Sequence, residues 1–246
     1  MRSAIAEYLD TYTPFELFGV SHWASILLFL FLVFWLPWFA KNHLKQSSQH
    51  QVGIFLGILV GINYPLWVIL EWIGGSFDVS LHLPVHLCRL ANLLLPLVMI
   101  KRNFPIFEIL YFWGLSGVFQ GMITPDIAQD FPHFHYFRFF VGHNLMVVAL
   151  IYAVVVYEMK PTLASLKKAF IALNAFLLLA FVTNLSLDSN YFWIMGKPPT
   201  ASLLDYLGPW PWYILSAEVV ALAHFGFAYF IYTMIEKYSI KNAVKP

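Results

Sequence analysis

The chain has 246 residues, of which 60% are hydrophobic, 19% aromatic and 11% charged, and its formal net charge is +1. Soluble domains carry about 25% charged residues, so this composition excludes an ordinary water-soluble domain and indicates an integral membrane protein. The small net charge provides no basic patch for nucleic acid, and a single cysteine excludes an intrachain disulfide or a CxxC metal site.

Seven stretches of the chain are apolar enough to cross a membrane as helices, which requires about 20 mostly apolar residues each. In chain order they lie at about 22–40, 52–73, 83–100, 104–123, 136–157, 168–187 and 211–235. Because backbone polar groups must be satisfied internally in lipid, these stretches are expected to form one helical bundle. The sequence therefore predicts an all-α fold in which residues 1–246 form a single membrane domain.

The distribution of basic residues predicts the orientation of the bundle. The side reached after the first, third and fifth spans and by the C-terminal tail carries ten: Lys41, Lys45, Lys101, Arg102, Lys160, Lys167, Lys168, Lys237, Lys241 and Lys245. The opposite side carries Arg2, Lys197 and Arg138. By the positive-inside rule, we expect a multi-pass protein of the cell membrane with its N-terminus outside and its C-terminus in the cytoplasm.

The third predicted span, LHLPVHLCRLANLLLPLVMI (81–100), is polar only in its first half. A helix that begins near residue 83, with Pro84 in its first turn, places His86 and Arg89 on one face and Cys88 on the adjoining face. Ionisable residues at membrane depth cost at least about 2.5–3.5 kcal/mol each and almost always face a bundle interior or a cavity. This half of the span is therefore predicted to line a polar pocket that opens outward.

Other spans bring ionisable side chains to the same outer level. Glu71 ends the second span, His135 and Arg138 open the fifth on one face, His143 lies deeper in the fifth, and Glu218 lies about two turns into the seventh. We expect Glu71 and Glu218 to pair with the arginines. The alternative interpretation is that the cluster is purely structural, made of ion pairs and interhelical hydrogen bonds. The long outer loop 188–210 is predicted to form a lid.

The residue types in this pocket are suited to acyl transfer. A thiol reacts as the thiolate, which nearby Arg, His⁺ or a helix N-terminus favours, and a cysteine with a histidine base can form a thioester. Cys88 is the predicted nucleophile and His143 the predicted base, although His133 and His135 compete for that role. A lone membrane cysteine can equally be an inert small hydrophobe. Asp126, in a loop of turn residues, could orient a histidine.

The histidine-rich segment HFH (133–135) raises the question of a metal site. Imidazole is the commonest metal ligand, but this spacing is weakly specific and no HExxH or Cys/His pattern accompanies it. The sequence therefore predicts neither a metal site nor a cofactor.

Several short motifs together resemble the YwaF-type bacterial integral membrane proteins over nearly the whole chain. They are LPVHLCRLANLLLP, the TPD loop, GHNLMVV, NYFWIMGKPPT and GPWPWY, in this order. That family looks distantly similar to eukaryotic multi-pass acyltransferases that remodel ether phospholipids with a membrane cysteine and histidine. The resemblance implies that the same roles fall on Cys88 and His143.

The predicted function is a lipid acyltransferase or acyl hydrolase whose substrate is a membrane phospholipid or another acyl lipid. Cys88 would attack an ester, His143 would transfer the proton, and an arginine would hold a phosphate or the developing oxyanion. Residues predicted to bind substrate or to stabilise charge are His86, Arg89, Arg138, Glu71, Glu218 and His135. The alternative is a non-enzymatic transporter or receptor-like protein with a structural polar cluster.

Overall fold

A computed structural model of the chain describes residues 3–200 and 202–243, with the backbone alone for 238–243. Its main helices are α1 (Ala4–Leu9), α2 (Val20–His43), α3 (Gln46–Gly74), α4 (Leu87–Lys101), α5 (Phe104–Ile123), α6 (Phe134–Val155), α7 (Leu163–Leu187) and α8 (Trp212–Ala243). No strand occurs in these ranges, so the predicted all-α class is confirmed for the described part of the chain. Arg2, Lys245 and the side chain of Lys241, which entered the predicted charge distribution, lie outside it.

Six of these helices, α2, α3 and α5 to α8, are long and apolar enough to cross a membrane, so the chain is a multi-pass membrane protein. The third predicted span differs, because α4 has only 15 residues and is about 22 Å long. The hydrocarbon core of a bilayer is about 30 Å thick. The seventh crossing and the orientation of the termini therefore stay predictions.

The start of α4 was predicted wrongly. The helix begins at Leu87, with His86 as its N-cap residue, and Pro84 lies in an irregular segment before it. Tertiary hydrogen bonds explain the difference, because Arg89 Nη1 donates to the carbonyl of Leu83 at 3.0 Å and the N–H of Leu83 donates to the Tyr191 hydroxyl at 2.9 Å. These bonds satisfy backbone groups that would otherwise extend the helix.

Helices α5 and α6 form the centre of the bundle. In the apolar 18-residue stretch of each helix, 61% of the residues of α5 and 78% of those of α6 are buried. The corresponding fraction in α8 is 11%. Both central helices contain one π-helical turn, at Gly114–Val118 in α5 and at Val141–Leu145 in α6. Such turns are rare and frequently occur at functional sites.

Glycines allow helices to approach closely at two crossings, as small residues do in membrane bundles. A Cβ atom at Gly61 of α3 would lie 2.3 Å from Pro96 Cγ of α4. A Cβ atom at Gly142 of α6 would lie 2.5 Å from Asn63 Nδ2 and 2.8 Å from Asn92 Nδ2. Helices α3, α4 and α6 thus meet around these two asparagines.

One end of the bundle, where α4 and α6 end and α5 and α7 begin, is held by partnered polar side chains; we call it the closed end. Glu108 is buried and accepts hydrogen bonds from Ser165 Oγ and Lys168 Nζ, both at 2.7 Å. The hydroxyl of Tyr157 donates to the carbonyl of Met99 at 3.1 Å. The polar side chains at this end therefore find their partners within the protein.

Candidate functional site

A cavity of about 650 Å³ lies in the half of the bundle opposite the closed end. Helices α3 to α8 and the segments 80–86 and 190–207 contribute to its walls, and its volume is typical of small-molecule sites. Of the eight predicted site residues, six line it: Cys88, His143, His86, Arg89, Arg138 and Glu218. The other two, Glu71 and His135, do not.

Cys88 lies at the second position of α4, partly exposed to the cavity. The side chain of His143, which α6 brings to the same cavity, interacts with it electrostatically. The first turn of a helix also presents free N–H groups and the positive end of the helix dipole. The thiol thus lies beside a base and in a region that favours negative charge.

The geometry around His143 determines which ring nitrogen can act as a base. Nδ1 lies 2.8 Å from the carbonyl oxygen of Phe139, and a carbonyl can only accept, so Nδ1 carries the hydrogen of the neutral ring. Nε2 is then the acceptor nitrogen and is available to the Cys88 thiol. The ring stacks on Phe139 with centroids 4.0 Å apart, and both residues flank the start of the π-helical turn. The imidazole is therefore fixed in tautomer and in orientation.

Two arginines stack on one indole ring in the cavity wall. The Cζ atoms of Arg89 and Arg138 lie 4.7 Å and 4.0 Å from the centroid of Trp67, which is cation–π geometry. Arg138 Nε is buried without a hydrogen-bond partner. Among the residues that the structure describes, neither guanidinium has a carboxylate within 4 Å. The cavity therefore contains positive charge that no carboxylate neutralises by direct contact.

The prediction that Glu71 and Glu218 pair with these arginines is wrong. Glu71 accepts hydrogen bonds from Trp67 Nε1 at 2.7 Å and from Ser76 Oγ at 2.5 Å, so it binds the indole on which the arginines stack. Glu218 accepts from Asn174 Nδ2 at 3.1 Å, between α8 and α7. Depth in the membrane was predicted for both carboxylates, but the direction in which each points around its helix was not.

The histidines that compete with His143 for the role of base do not line the cavity. His133 Nε2 donates to the carbonyl of Tyr8 at 2.8 Å, and its Nδ1 accepts from the N–H of His135 at 3.1 Å. The ring of His135 lies edge-on to Trp67 with centroids 6.3 Å apart. These two rings tie the N-terminal segment to α6. His86 does line the cavity, with its ring packed against the loop that follows α7.

Asp126 is a cavity residue whose contacts the sequence did not predict. It accepts a hydrogen bond from Thr200 Oγ1 at 2.8 Å. The observed partner is thus a threonine, whereas the sequence suggested a histidine. Burial raises the pKa of the Asp126 carboxyl, although the Thr200 hydroxyl and the positive charges of Arg89 and Arg138 act in the opposite direction. Thr200 belongs to the predicted lid, so this hydrogen bond joins the loop 188–210 to the cavity wall.

Some of the buried polar atoms without a hydrogen-bond partner belong to residues of this cavity. Asn92 Oδ1 and Arg138 Nε have none, and both residues line it. An unsatisfied buried group costs about 1–3 kcal/mol, and in a native structure it usually binds an ordered water or a ligand. In the described part of the chain, no group of three or more His, Cys, Asp or Glu side chains could hold a metal ion. The arrangement combines a thiol, an imidazole and two guanidinium groups that have no carboxylate within 4 Å among the described residues.

Comparison with known proteins corrects the family resemblance proposed from the motifs. The model of the TMEM164 family matches residues 17–229. An uncharacterised protein of Treponema pallidum (strain Nichols) is 26% identical over 201 residues, which cover 78% of this chain and 80% of that protein. No solved structure matches the chain.

The assignment to the YwaF-type proteins is therefore wrong, and the comparisons do not support the kinship with ether-phospholipid acyltransferases inferred through it. Its motifs are short, whereas the matching model spans most of the chain. The chain belongs to the TMEM164 family.

Proposed function

We propose that this protein is a membrane-embedded acyltransferase or acyl hydrolase that forms a thioester on Cys88. The observation that carries the proposal is that Cys88 and His143 line one cavity, in which Arg89 and Arg138 have no carboxylate partner among the described residues. A thiol beside a base is the pair needed for acyl transfer. Guanidinium groups without a carboxylate suit a phosphate or a developing oxyanion.

The first half of the proposed reaction moves an acyl group from a phospholipid to the protein. His143 Nε2 takes the thiol proton, and the sulfur of Cys88 attacks the carbonyl carbon of the ester. The carbon–oxygen ester bond breaks, and the leaving lysophospholipid oxygen takes the proton from His143. In the second half, His143 takes a proton from the hydroxyl of another lysolipid or of water, and that oxygen displaces the sulfur. The thiol then regains its proton.

Substrate binding is proposed to rest on Arg89 and Arg138. Arg89 is fixed by hydrogen bonds to the carbonyls of Leu81 and Leu83, and stacking on Trp67 holds Arg138 nearby. A fixed guanidinium loses little conformational freedom when it binds a phosphate through paired hydrogen bonds. These contacts favour a phospholipid over a neutral acyl lipid.

The experiment that tests this proposal measures acyl products from the purified full chain in phospholipid vesicles. Mass spectrometry would follow lysophospholipid, free fatty acid and newly acylated phospholipid. We expect Cys88→Ala to form none of these products. Ser186→Ala is the matched control, because it also removes one heteroatom, from an exposed side chain that bonds only within α7. Equal product formation by Cys88→Ala and the wild type would refute the proposal.

The orientation of the cavity is part of the proposal. The excess of basic residues at the closed end, including Lys41, Lys101 and Lys160, supports an outward-facing cavity in the cell membrane with α4 completing a seventh crossing. The irregular segment before α4 lines the cavity, which is where non-helical backbone is tolerated at membrane depth. A reporter fused to the C-terminus is expected to lie in the cytoplasm; a reporter found outside would contradict this topology.

The non-enzymatic alternative predicts a different set of sensitive residues. For a transporter or receptor-like protein, Cys88→Ser would be silent, whereas Glu71→Gln or Glu218→Gln would abolish function. The acyl-transfer proposal makes Cys88 the essential residue. Parallel assays of these three variants therefore distinguish the two classes of function.

A further inference from the structure

The cavity continues from the polar site into an apolar arm between α7 and α8. We define the apolar arm by Leu173, Leu177, Ile214, Ala217, Ala221 and His224, all of which line the cavity. On α8 these residues recur every three or four positions, so they lie on one face of the helix. Ile214 and His224 are ten residues apart, which corresponds to about 15 Å along the helix axis. The arm is therefore long enough to hold a chain.

The arm is a space that the neighbouring helices leave unfilled. Helix α8 is the least buried of the six membrane-spanning helices, and the small side chains of Ala217 and Ala221 form part of its inner face. On the α5 side, a Cβ atom added at Gly117 would meet only Leu87 Cδ2, at 3.6 Å. Protein interiors normally pack without voids larger than a water molecule. An unfilled apolar space beside a polar site therefore calls for an apolar occupant.

The two walls of the arm are also in reach of the bilayer. Leu178 of α7 and Leu215 of α8 are 62% and 61% exposed, which places the outer faces of these helices against lipid. The hydrogen bond from Asn174 to Glu218 joins the two helices beside the arm. A lipid chain in the membrane thus lies next to the helix pair that encloses the arm.

We propose that the apolar arm binds the acyl chain of the phospholipid substrate, and that Ala217 and Ala221 determine how long a chain is accepted. This inference rests on the proposed function, because it places the ester of the same lipid at Cys88 and its phosphate at Arg89 and Arg138. The residues of the arm line the same cavity as that polar group, and those on α8 extend from Ile214 to His224. One phospholipid molecule accounts for both the positive charge and the apolar space.

The first test narrows the arm. Ala221→Phe is expected to lower the ratio of turnover with dipalmitoyl phosphatidylcholine to turnover with dihexanoyl phosphatidylcholine by at least about tenfold, since hydrophobic pockets discriminate by about 10–200-fold per methylene. Ala223→Phe is the matched control on the exposed face of the same helix and is expected to leave the ratio unchanged. An unchanged ratio in Ala221→Phe, with the protein folded and active, would overturn the inference.

The second test separates failure of this inference from failure of the proposed function. A phosphatidylcholine with a photoactivatable diazirine near the end of its acyl chain is crosslinked to the Cys88→Ser variant, in which no thioester can form. We expect adducts on Leu177, Ala221 or His224. Such adducts without any thioester on the wild type would leave the arm as a lipid-chain site and refute acyl transfer. A thioester on the wild type with adducts only on outward-facing residues would refute the arm.

Discussion

The two ends of the bundle use similar polar residues in opposite ways. At the closed end, the buried carboxylate of Glu108 has both oxygens engaged, by Ser165 and Lys168. At the cavity end, Arg89 and Arg138 stack on Trp67 and have no carboxylate within 4 Å among the described residues. Burying an ionisable group at membrane depth costs free energy, so the presence of two arginines without carboxylate partners needs an explanation. The buried charge of Glu108 is thus neutralised within the protein, whereas the charges of the two cavity arginines are not.

Two arginines, one at each end of the bundle, each stack on an aromatic ring and differ in whether they line the cavity. Arg102 at the closed end lies 4.5 Å from the centroid of Tyr157, and Arg138 at the cavity end lies 4.0 Å from that of Trp67. Only Arg138 lines the cavity. Substitutions at matched positions of the two ends should therefore separate effects on activity from effects on stability.

The largest expected effect follows removal of the base. His143→Ala is expected to lower the rate of acyl transfer by about 10²–10⁴-fold, the usual contribution of a general base, and to slow alkylation of Cys88 by iodoacetamide at neutral pH. His50→Ala is the control, because His50 contacts Tyr157 at the closed end, and it should leave both rates unchanged. A His143→Ala variant with the wild-type alkylation rate would break the link between the imidazole and the thiol.

A smaller loss of activity is expected when the positive charge of Arg138 is removed. Arg138→Met should lower turnover of a phospholipid by about 10–100-fold, since a hydrogen bond to a charged group contributes about 1.5–3 kcal/mol. Its thermal stability in detergent should not fall, because no buried carboxylate loses its partner. Arg102→Met tests the closed end and should leave turnover unchanged. Lower stability with unchanged turnover in Arg138→Met would make the cavity arginine structural.

The smallest expected effect concerns the closed end. Glu108→Ala leaves the buried hydroxyl of Ser165 without its acceptor and should reduce the free energy of unfolding by about 1–3 kcal/mol, with turnover per folded molecule unchanged. Glu158→Ala removes an exposed ion pair with Lys41 and should cost at most about 1 kcal/mol. Chemical unfolding in detergent measures both. A Glu108→Ala protein that is fully stable but inactive would remove the distinction between the two ends.

Depth in the membrane was predictable from the sequence, and much of the candidate site follows from depth. Hydropathy predicted the six helices that are long and apolar enough to cross a membrane. Polar residues at one predicted level indicated that Cys88, Arg89, Arg138 and His143 line a common cavity, as they do. The prediction succeeds because exposing an ionisable side chain to lipid costs free energy, so such side chains point into the bundle.

Direction around a helix and tertiary hydrogen bonds were not predictable from one sequence. Glu71 and Glu218 lie at the predicted level but point at Trp67 and Asn174, because the rotation of a helix is set by its neighbours. Helix α4 begins four residues later than predicted, because Arg89 and Tyr191 bind the preceding segment. The hydrogen bond between Asp126 and Thr200 joins two loops far apart in sequence, and no local pattern indicates it.

The central claim is that Cys88 carries an acyl group during turnover, and it can be measured directly on the protein. The purified full chain is incubated with dipalmitoyl phosphatidylcholine, quenched in acid and digested, and the peptide that contains Cys88 is weighed by mass spectrometry. We predict that a fraction of this peptide gains the mass of a palmitoyl group, and that neutral hydroxylamine removes it as expected for a thioester. A peptide that stays unmodified while the vesicles accumulate acyl-transfer products would contradict the account.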